Sequence, residues 1–326
     1  VRGILIVNPH ATSMTGTVID LTVRSLAGLV DLDVERTKYR GHARELAASA
    51  AGELIIVLGG DGSINEAVNG VMSQQAWPGL SSEGGAGVTG GEGGGPEPRQ
   101  PPLIAVIPGG GGNVFARALG LPPDAAHAIR KVRETIAAGR YRTIGLGLAG
   151  DRYFTFNAGL GLDAEVVYEV EQQRAAGRKE STSLFLRTLV RHLHRGTDRE
   201  TPALTLEREG EPDVSDLFLT IVTNRSPWTY YRGRAVLPVP HPDFNSGLDL
   251  LALRRVSMAT INNAVLQMLV IRSRPPRGRH LFSAHGAESF TVRSARPIAF
   301  QVDGEYLGEI EAIKFQFIPH AIRVVA

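Results

Sequence analysis

LIIVLGGDGSINE, residues 54–66, is an apolar run that passes without interruption into Gly59-Gly60-Asp61-Gly62 and then into a helix start. Leu54 to Leu58 has the continuity of a strand buried on both faces. Beyond the glycines, Ile64, Ala67, Val68, Val71 and Met72 recur at three- and four-residue spacing, which predicts a helix with one apolar stripe. Asn65, Glu66 and Asn69 fall off that stripe and are expected to face a ligand. A second corner has the same build. Leu103 to Ile107 ends at Pro108, Gly109 to Gly112 follow, and Asn113 stands as the cap of the helical pattern VFARALG.

Glycine tolerates positive φ and carries no Cβ to hold a phosphate away. A helix N-terminus adds unpaired N–H groups that suit an anion. Two strand-glycine-helix corners in one domain therefore point to a phosphate cradle, although each corner taken singly also reads as a tight turn that lets a helix pack on a sheet. Neither corner reads G-x-x-x-x-G-K-[ST], no lysine stands beside either, and G-x-G-x-x-G is absent. A P-loop and a Rossmann turn are thus disfavoured.

Composition bounds the answer. At 326 residues two domains are the first expectation. Lys+Arg 35 against Asp+Glu 33 argues against a general nucleic-acid binder and leaves only local basic patches. The chain has no cysteine, which excludes disulfides, thiolate metal sites and cysteine nucleophiles. The histidines show no H-E-x-x-H spacing. No stretch reaches eighteen apolar residues, and Val1 to Val7 lacks a signal-peptide pattern, so a soluble cytoplasmic protein that visits a membrane surface is expected.

The first 140 residues alternate strand and helix: strands at 3–7, 32–37 and 54–58, and helices at 18–29, 42–51 and 64–72. That alternation is α/β with a mainly parallel sheet. Gly79 to Gln100 interrupts it as an insert in which eight of the twelve residues from Gly84 to Gly95 are glycine. Such a segment is expected to be a mobile surface loop. Beyond Arg140 the pattern becomes short strands and hairpins, with turns at Gly150-Asp151 and Gly210 and helices only near 164–174 and 183–195. A β-sandwich-like second domain over 141–315 is expected, with 316–326 returning to the first domain, residues 1–140.

With both corners and the second domain in view, the chain resembles the diacylglycerol kinase and sphingosine kinase superfamily of lipid kinases, in particular its bacterial soluble members. The resemblance rests on NPHATSMTG from Asn8, GGDGSINEAVNG from Gly59, PGGGGNVFARALGLP from Pro108, FNAGLGLDAEVV from Phe156, SGLDL from Ser246 and VDGE from Val302. It implies an NAD kinase-like α/β lobe, a β-rich lipid-substrate lobe, and transfer of the γ-phosphoryl of ATP, with Mg²⁺, to a lipid hydroxyl, most simply that of diacylglycerol. It implies that Gly59, Gly60, Gly62, Ser63, Ile64, Asn65 and Glu66 line the nucleotide phosphates together with Gly110, Gly111 and Asn113. Asn8, His10, Ala11, Thr12, Ser13 and Met14 would lie beside them, and Thr37 matches a nucleotide-contacting threonine.

Glu305 matches the proton acceptor of bacterial relatives, and Asp61 matches the aspartate that sphingosine kinases use for that task. Either carboxylate suits the chemistry; Glu305 is favoured as base and Asp61 as organiser of metal and phosphate. Read without the resemblance, Asp303-Gly304 is an ordinary hairpin signal. Two positions depart from the family pattern. Gly111 replaces a threonine or serine, and Ser246 replaces an aspartate that, with the matches of Asp243 and the Leu248 carbonyl, binds a structural Mg²⁺; serine is a poor hard-cation ligand. A catalytically weakened lipid-binding protein and an NAD kinase stand as alternatives.

Residues 183–195, SLFLRTLVRHLHR, read as a basic amphipathic helix, and Arg272, Arg274, Arg277 and Arg279 form a second cationic cluster. Peripheral contact with a lipid surface through 183–195 and 272–279 is expected, with packing on the β domain and a solvated charge run as the respective alternatives. No nucleic-acid partner is expected, and the oligomeric state stays open.

Overall fold

The computed structural model describes residues 1–50, 52–74, 102–177, 182–195, 201–224, 227–231, 233–238, 243–271 and 274–326. The glycine-rich insert expected at 79–100 lies outside these residues, as does Arg272. The first lobe contains β1 (Arg2–Val7), α1 (Gly16–Leu26), β2 (Asp31–Arg36), α2 (His42–Ser49) and β3 (Leu54–Gly59). It continues with α3 (Asp61–Ser73), β4 (Leu103–Pro108), α4 (Val114–Ala118) and α5 (Ala125–Ala137). The β5 (Arg142–Ala149) and β6 (Arg152–Phe154) hairpin turns the chain into the second lobe, followed by β7 (Asn157–Gly161), α6 (Leu162–Ala175) and α7 (Thr182–Arg195). Next come β8 (Leu204–Glu207), β9 (Val214–Leu217), β10 (Leu219–Thr223), β11 (Thr229–Tyr231), β12 (Arg234–Val236) and β13 (Leu248–Leu253). Helix α8 (Met258–Val270) and strands β14 (Leu281–Ala287), β15 (Ser289–Val302) and β16 (Glu305–Val324) complete the chain.

In the first lobe β2, β1, β3 and β4 lie side by side and parallel. Every residue of β3 is buried, as its unbroken apolar run requires, and each fully buried Leu, Ile or Val contributes about 1.5–3 kcal/mol. The helices cover this sheet with their apolar stripes. Gly70 lets α3 press against α2, since a Cβ there would stand 2.2 Å from the Arg44 carbonyl oxygen.

The second lobe is strand-rich and mostly antiparallel, in the order β14-β13-β10-β7-β15-β16. Its sheet is continuous with that of the first lobe. The 20-residue β16 pairs antiparallel with β15 and β5, and its far end, Arg323 and Val324, pairs parallel with Leu103 and Ile104 of β4. One strand thus runs through both lobes, and the backbone ladder fixes their relation. Helix α8 has no counterpart among the sequence expectations. Its signals were local: Ser257 caps it by accepting from the Thr260 N–H, and Thr260, Ile261, Ala264 and Met268 form its buried face.

Candidate active site

Because β3 and β4 are parallel neighbours with Gly59 opposite Pro108, both glycine corners emerge side by side at the C-terminal ends of the strands, the end where ligands collect in α/β folds. They touch: the Gly109 N–H donates to the Gly59 carbonyl at 2.8 Å, and a Cβ on Gly110 would lie 2.8 Å from Gly60 Cα. Only glycine permits that approach. Above them opens a cleft of about 480 Å³ between the lobes.

Asp61 joins the two corners chemically. Its Oδ2 accepts from the Val114 N–H at 2.9 Å and its Oδ1 from the Phe115 N–H at 3.0 Å. The carboxylate of one corner therefore caps the helix of the other, an arrangement favoured by the partial positive charge of a helix N-terminus. This corrects the expectation for Asn113. With φ 49° it makes no cap hydrogen bond, and its amide instead closes its own corner, accepting from the Gly110 N–H at 2.8 Å and donating to the Gly110 carbonyl at 2.7 Å.

The helix face expected to meet a ligand is corrected as well. Asn65 and Asn69 are buried at 0% and 3% exposure. Asn65 donates to the Tyr153 carbonyl at 2.8 Å and to Asp303 at 2.7 Å, while Asn69 donates to the same carbonyl at 3.0 Å and accepts from the Tyr153 N–H at 2.9 Å. These amides clasp the second lobe. Glu66 reaches the cleft but spends its carboxylate on the start of α2, accepting from the Gly41 and Ala43 N–H groups at 2.8 and 3.2 Å.

Asp303 is the hub on the opposite wall. It accepts from Asn65, from the Thr155 N–H and hydroxyl at 2.7 and 2.8 Å, and from the Phe156 and Asn157 N–H groups at 3.0 Å. Burial pushes its carboxyl up, and the donations from Thr155, Phe156 and Asn157 pull against that. With φ 48° at Asp303 and 78° at Gly304, the hairpin between β15 and β16 has the double positive φ of a type I′ turn. That turn delivers Glu305 to the cleft. There Glu305 pairs with Arg40 from the loop between β2 and α2 and with Arg152, whose Nη2 donates at 2.8 Å.

At the far end of the cleft Asp163, the second residue of α6, is buried and accepts from Gln301 Nε2 at 2.7 Å and from the Trp228 side chain. Burial pushes its carboxyl up to about 6, the two donations holding it lower than burial alone would. Asp163 and Trp228 also border a second, smaller cavity, about 40 Å³, whose other walls are apolar: Leu162, Val166, Leu189, Leu219, Ile221, Leu251, Leu253, Ile261, Ala264, Val265 and Met268. A polar cleft thus meets an apolar chamber at a buried carboxyl. Glu171, also in the cleft wall, is likewise pushed up by burial, against the donation of the Tyr306 N–H.

Of the residues matched from sequence, Asn8, His10, Ala11, Thr12, Thr37, Gly60, Asp61, Gly62, Ser63, Glu66, Gly110, Gly111 and Glu305 line the cleft. Gly59, Ser13, Met14, Ile64, Asn65 and Asn113 stand behind it: Ile64 is core, Ser13 donates its N–H to the Gly109 carbonyl, and the Met14 Cε packs against Gly109. Arg40, Asp163, Glu171, Arg174 and Trp228 are cleft residues that sequence reasoning did not single out. Asp163 lay inside a quoted motif, and Arg40 sits between Thr37 and α2; neither carries a local signal of its own.

The donor set of the second metal position does not fit a hard cation. The Ser246 hydroxyl donates to Asp243, and the Asn245 N–H donates to the same carboxylate at 3.1 Å, so Asp243 helps to close its own turn. Leu248 is buried in β13. Among the described residues no group of three or more His, Asp or Glu side chains is placed to hold a metal ion. Also among them, no helix is long and apolar enough to cross a membrane.

Comparison with known proteins accords with this geometry. Residues 2–147 match the diacylglycerol kinase catalytic domain. A diacylglycerol kinase of Bacillus subtilis strain 168 is 28% identical over 273 residues, covering 82% of this chain and 76% of its own. One from Staphylococcus carnosus strain TM300 is 28% identical over 275 residues, covering 80% and 72%. The crystal structure of a diacylglycerol kinase from Bacillus anthracis strain Sterne shares the fold with a TM-score of 0.64 at 20% identity, covering 99% of this chain and 96% of that one; a further structure from the same strain gives 0.71. A two-lobed fold with paired glycine corners at the floor of its cleft and a matched kinase domain is a lipid kinase. Within that class its relatives are diacylglycerol kinases, whose catalytic domain matches residues 2–147.

Proposed function

We propose that this chain transfers the γ-phosphoryl group of ATP to the free hydroxyl of diacylglycerol in a Mg²⁺-dependent reaction. The observation that carries the reading is the junction at Asp163 and Trp228, where a cleft floored by glycine corners meets a chamber walled by aliphatic side chains. Phosphates need the first; the second, at about 40 Å³, takes only the first methylenes of an acyl chain as it stands. An NAD kinase has no use for the chamber. The names of the relatives support diacylglycerol as acceptor.

In this reading the phosphates lie on the N–H groups of Gly60 to Ser63 and of Gly111 and Gly112, and the lipid glycerol rests against Asp163 with its chains directed past Trp228. Asp61 is the carboxylate that would hold Mg²⁺ beside the phosphates, and the ion would supply neutralisation of their charge. Glu305 takes the proton of the attacking hydroxyl. At rest its oxygens are engaged by Arg40 and Arg152. Arg40 is 63% exposed and lines the same cleft, so an incoming phosphate competes for it and releases one oxygen of Glu305 for the hydroxyl.

Incubation with labelled ATP and a panel of diacylglycerol, sphingosine and NAD⁺ tests the assignment. Label in diacylglycerol is the expected result; label in NAD⁺ alone, or in none, overturns it. The weakened-enzyme alternative draws on Gly111, which brings no side chain to the nucleotide, and it expects feeble ATP binding in a calorimetric titration.

A further inference from the structure

Between Asp249 and Glu288 the chain carries no Asp or Glu and six arginines: 254, 255, 272, 274, 277 and 279. Formal net charge over the whole chain is only +2, so the positive excess is concentrated here. This segment contains α8 and the loop that follows it. Helix α8 is apolar on two faces. Its inner face, with Ile261, Ala264, Val265 and Met268, walls the aliphatic chamber, while its outer face exposes Leu266 at 62% and Val270 at 65%, one helical turn apart. No charged residue lies on the helix at all.

The arginine loop is fastened to that outer face. The Gln267 amide donates to the Arg277 carbonyl at 2.8 Å and accepts from the Arg277 N–H at 3.0 Å, while Pro276 is buried. Arg274, Arg277 and Arg279 are exposed, and among the described residues none of their guanidinium groups has an ion-pair partner. The helix that exposes Leu266 and Val270 thus also holds, through Gln267, the loop that carries these three exposed cations.

We infer that the outer face of α8 and the Arg274–Arg279 loop form a docking surface for an anionic lipid bilayer. Two weak signals are what stable peripheral attachment needs, an apolar insertion and a basic patch, and both are here within one helix and its following loop. Continuity with the chamber favours a bilayer over other polyanions. The helix that would rest on the membrane is the helix that walls the proposed acyl site, so a lipid passes from one face of α8 to the other. This inference rests on the lipid-kinase reading only for that last step. Aliphatic side chains at the centre of the patch give an RNA backbone nothing to bind.

Sedimentation of the full chain with vesicles of phosphatidylcholine, with and without phosphatidylglycerol, tests it, beside kinase turnover on diacylglycerol dispersed in neutral detergent micelles. The parent chain is expected to sediment with the anionic vesicles and to remain in solution with the neutral ones. Replacing Arg274, Arg277 and Arg279 together by Gln should lower the partition coefficient on the order of a hundredfold, roughly fivefold for each cation lost near an acidic surface. Leu266→Ser with Val270→Ser should lower it as well. Both variants should keep the parental melting temperature and the parental turnover in micelles. Equal partition of parent and variants, equal binding to neutral and anionic vesicles, or retention of a labelled RNA with no vesicle binding would each overturn the inference. Absence of parental turnover in micelles would refute the kinase reading while sedimentation still reads the surface.

Discussion

Arg40 and Glu305 meet across the cleft, the Arg40 Nε donating to Glu305 Oε1 at 2.7 Å. The two residues are 265 positions apart in sequence, and the contact exists because β2 ends and the β15–β16 hairpin turns at the same side of the sheet. With its Arg40 end 63% exposed, the pair is largely screened by solvent and contributes little to stability, on the order of 0–1 kcal/mol. Its consequence is for chemistry. Glu305→Gln keeps shape and one acceptor but cannot take a proton, so turnover should fall about 10²–10⁴-fold. ATP affinity should not fall, since the phosphates rest on backbone N–H groups and Arg40 is freed of a competing carboxylate. Steady-state kinetics beside an ATP titration separates the two, and an unchanged rate would move the base elsewhere.

Asp61 has two tasks that a substitution should reveal separately. Asp61→Ala removes the acceptor for the Val114 and Phe115 N–H groups, which should cost about 0.5–2 kcal/mol as a lost helix cap and lower the melting temperature by roughly 2–4 °C per kcal/mol. Transfer should be abolished. Retention of more than about a tenth of the turnover would refute the catalytic role assigned here, because a missing charge stabiliser in a water-poor site costs more than that.

The glycines divide by what stands where a Cβ would go. At Gly62 there is open space, and at Gly110 there is the Gly60 backbone. Gly62→Ala should therefore fold at least as stably as the parent, gaining up to about 1 kcal/mol of helix propensity, yet raise KM for ATP because the methyl group enters the cleft. Gly110→Ala should lose roughly 1–3 kcal/mol through forced backbone movement. Thermal melts and ATP titration of the pair check both halves.

Asp163 should tie stability to pH. Its carboxyl lies near 3.8 when unfolded and about 6 when folded, so between those values the folded chain holds the extra proton. The stability this group contributes is present below the unfolded value and is lost as pH rises through about 6. Comparing the parent with Asp163→Asn in urea across that window, the balance should shift toward the variant by roughly 1–3 kcal/mol as pH rises. A constant difference would show that Asp163 does not titrate there.

The architecture was legible in sequence where a single segment holds the whole signal. The apolar run of β3, its glycines and the stripe of α3 lie in one window, and so does the Asp303-Gly304 turn. What escaped depends on partners distant in sequence. Asn65 and Asn69 are polar and off the apolar stripe, as ligand-facing residues would be, but their partner is the Tyr153 backbone 88 and 84 residues on. Asn113 has the residue type of a cap, yet Asp61, 53 residues before the Val114 N–H that it accepts from, takes the position. A single continuous sheet was equally hidden, because β16 reads as any strand until Arg323 and Val324 are seen beside β4.

The most direct measurement of the central claim is the appearance of label from [γ-³²P]ATP in the organic phase after incubation with diacylglycerol micelles and Mg²⁺, for the parent and for Glu305→Gln. The expected result is a phosphorylated lipid from the parent, dependent on Mg²⁺, and at most about a hundredth as much from the variant. A folded parent chain that leaves all label in the aqueous phase, or a variant that matches it, would contradict the account.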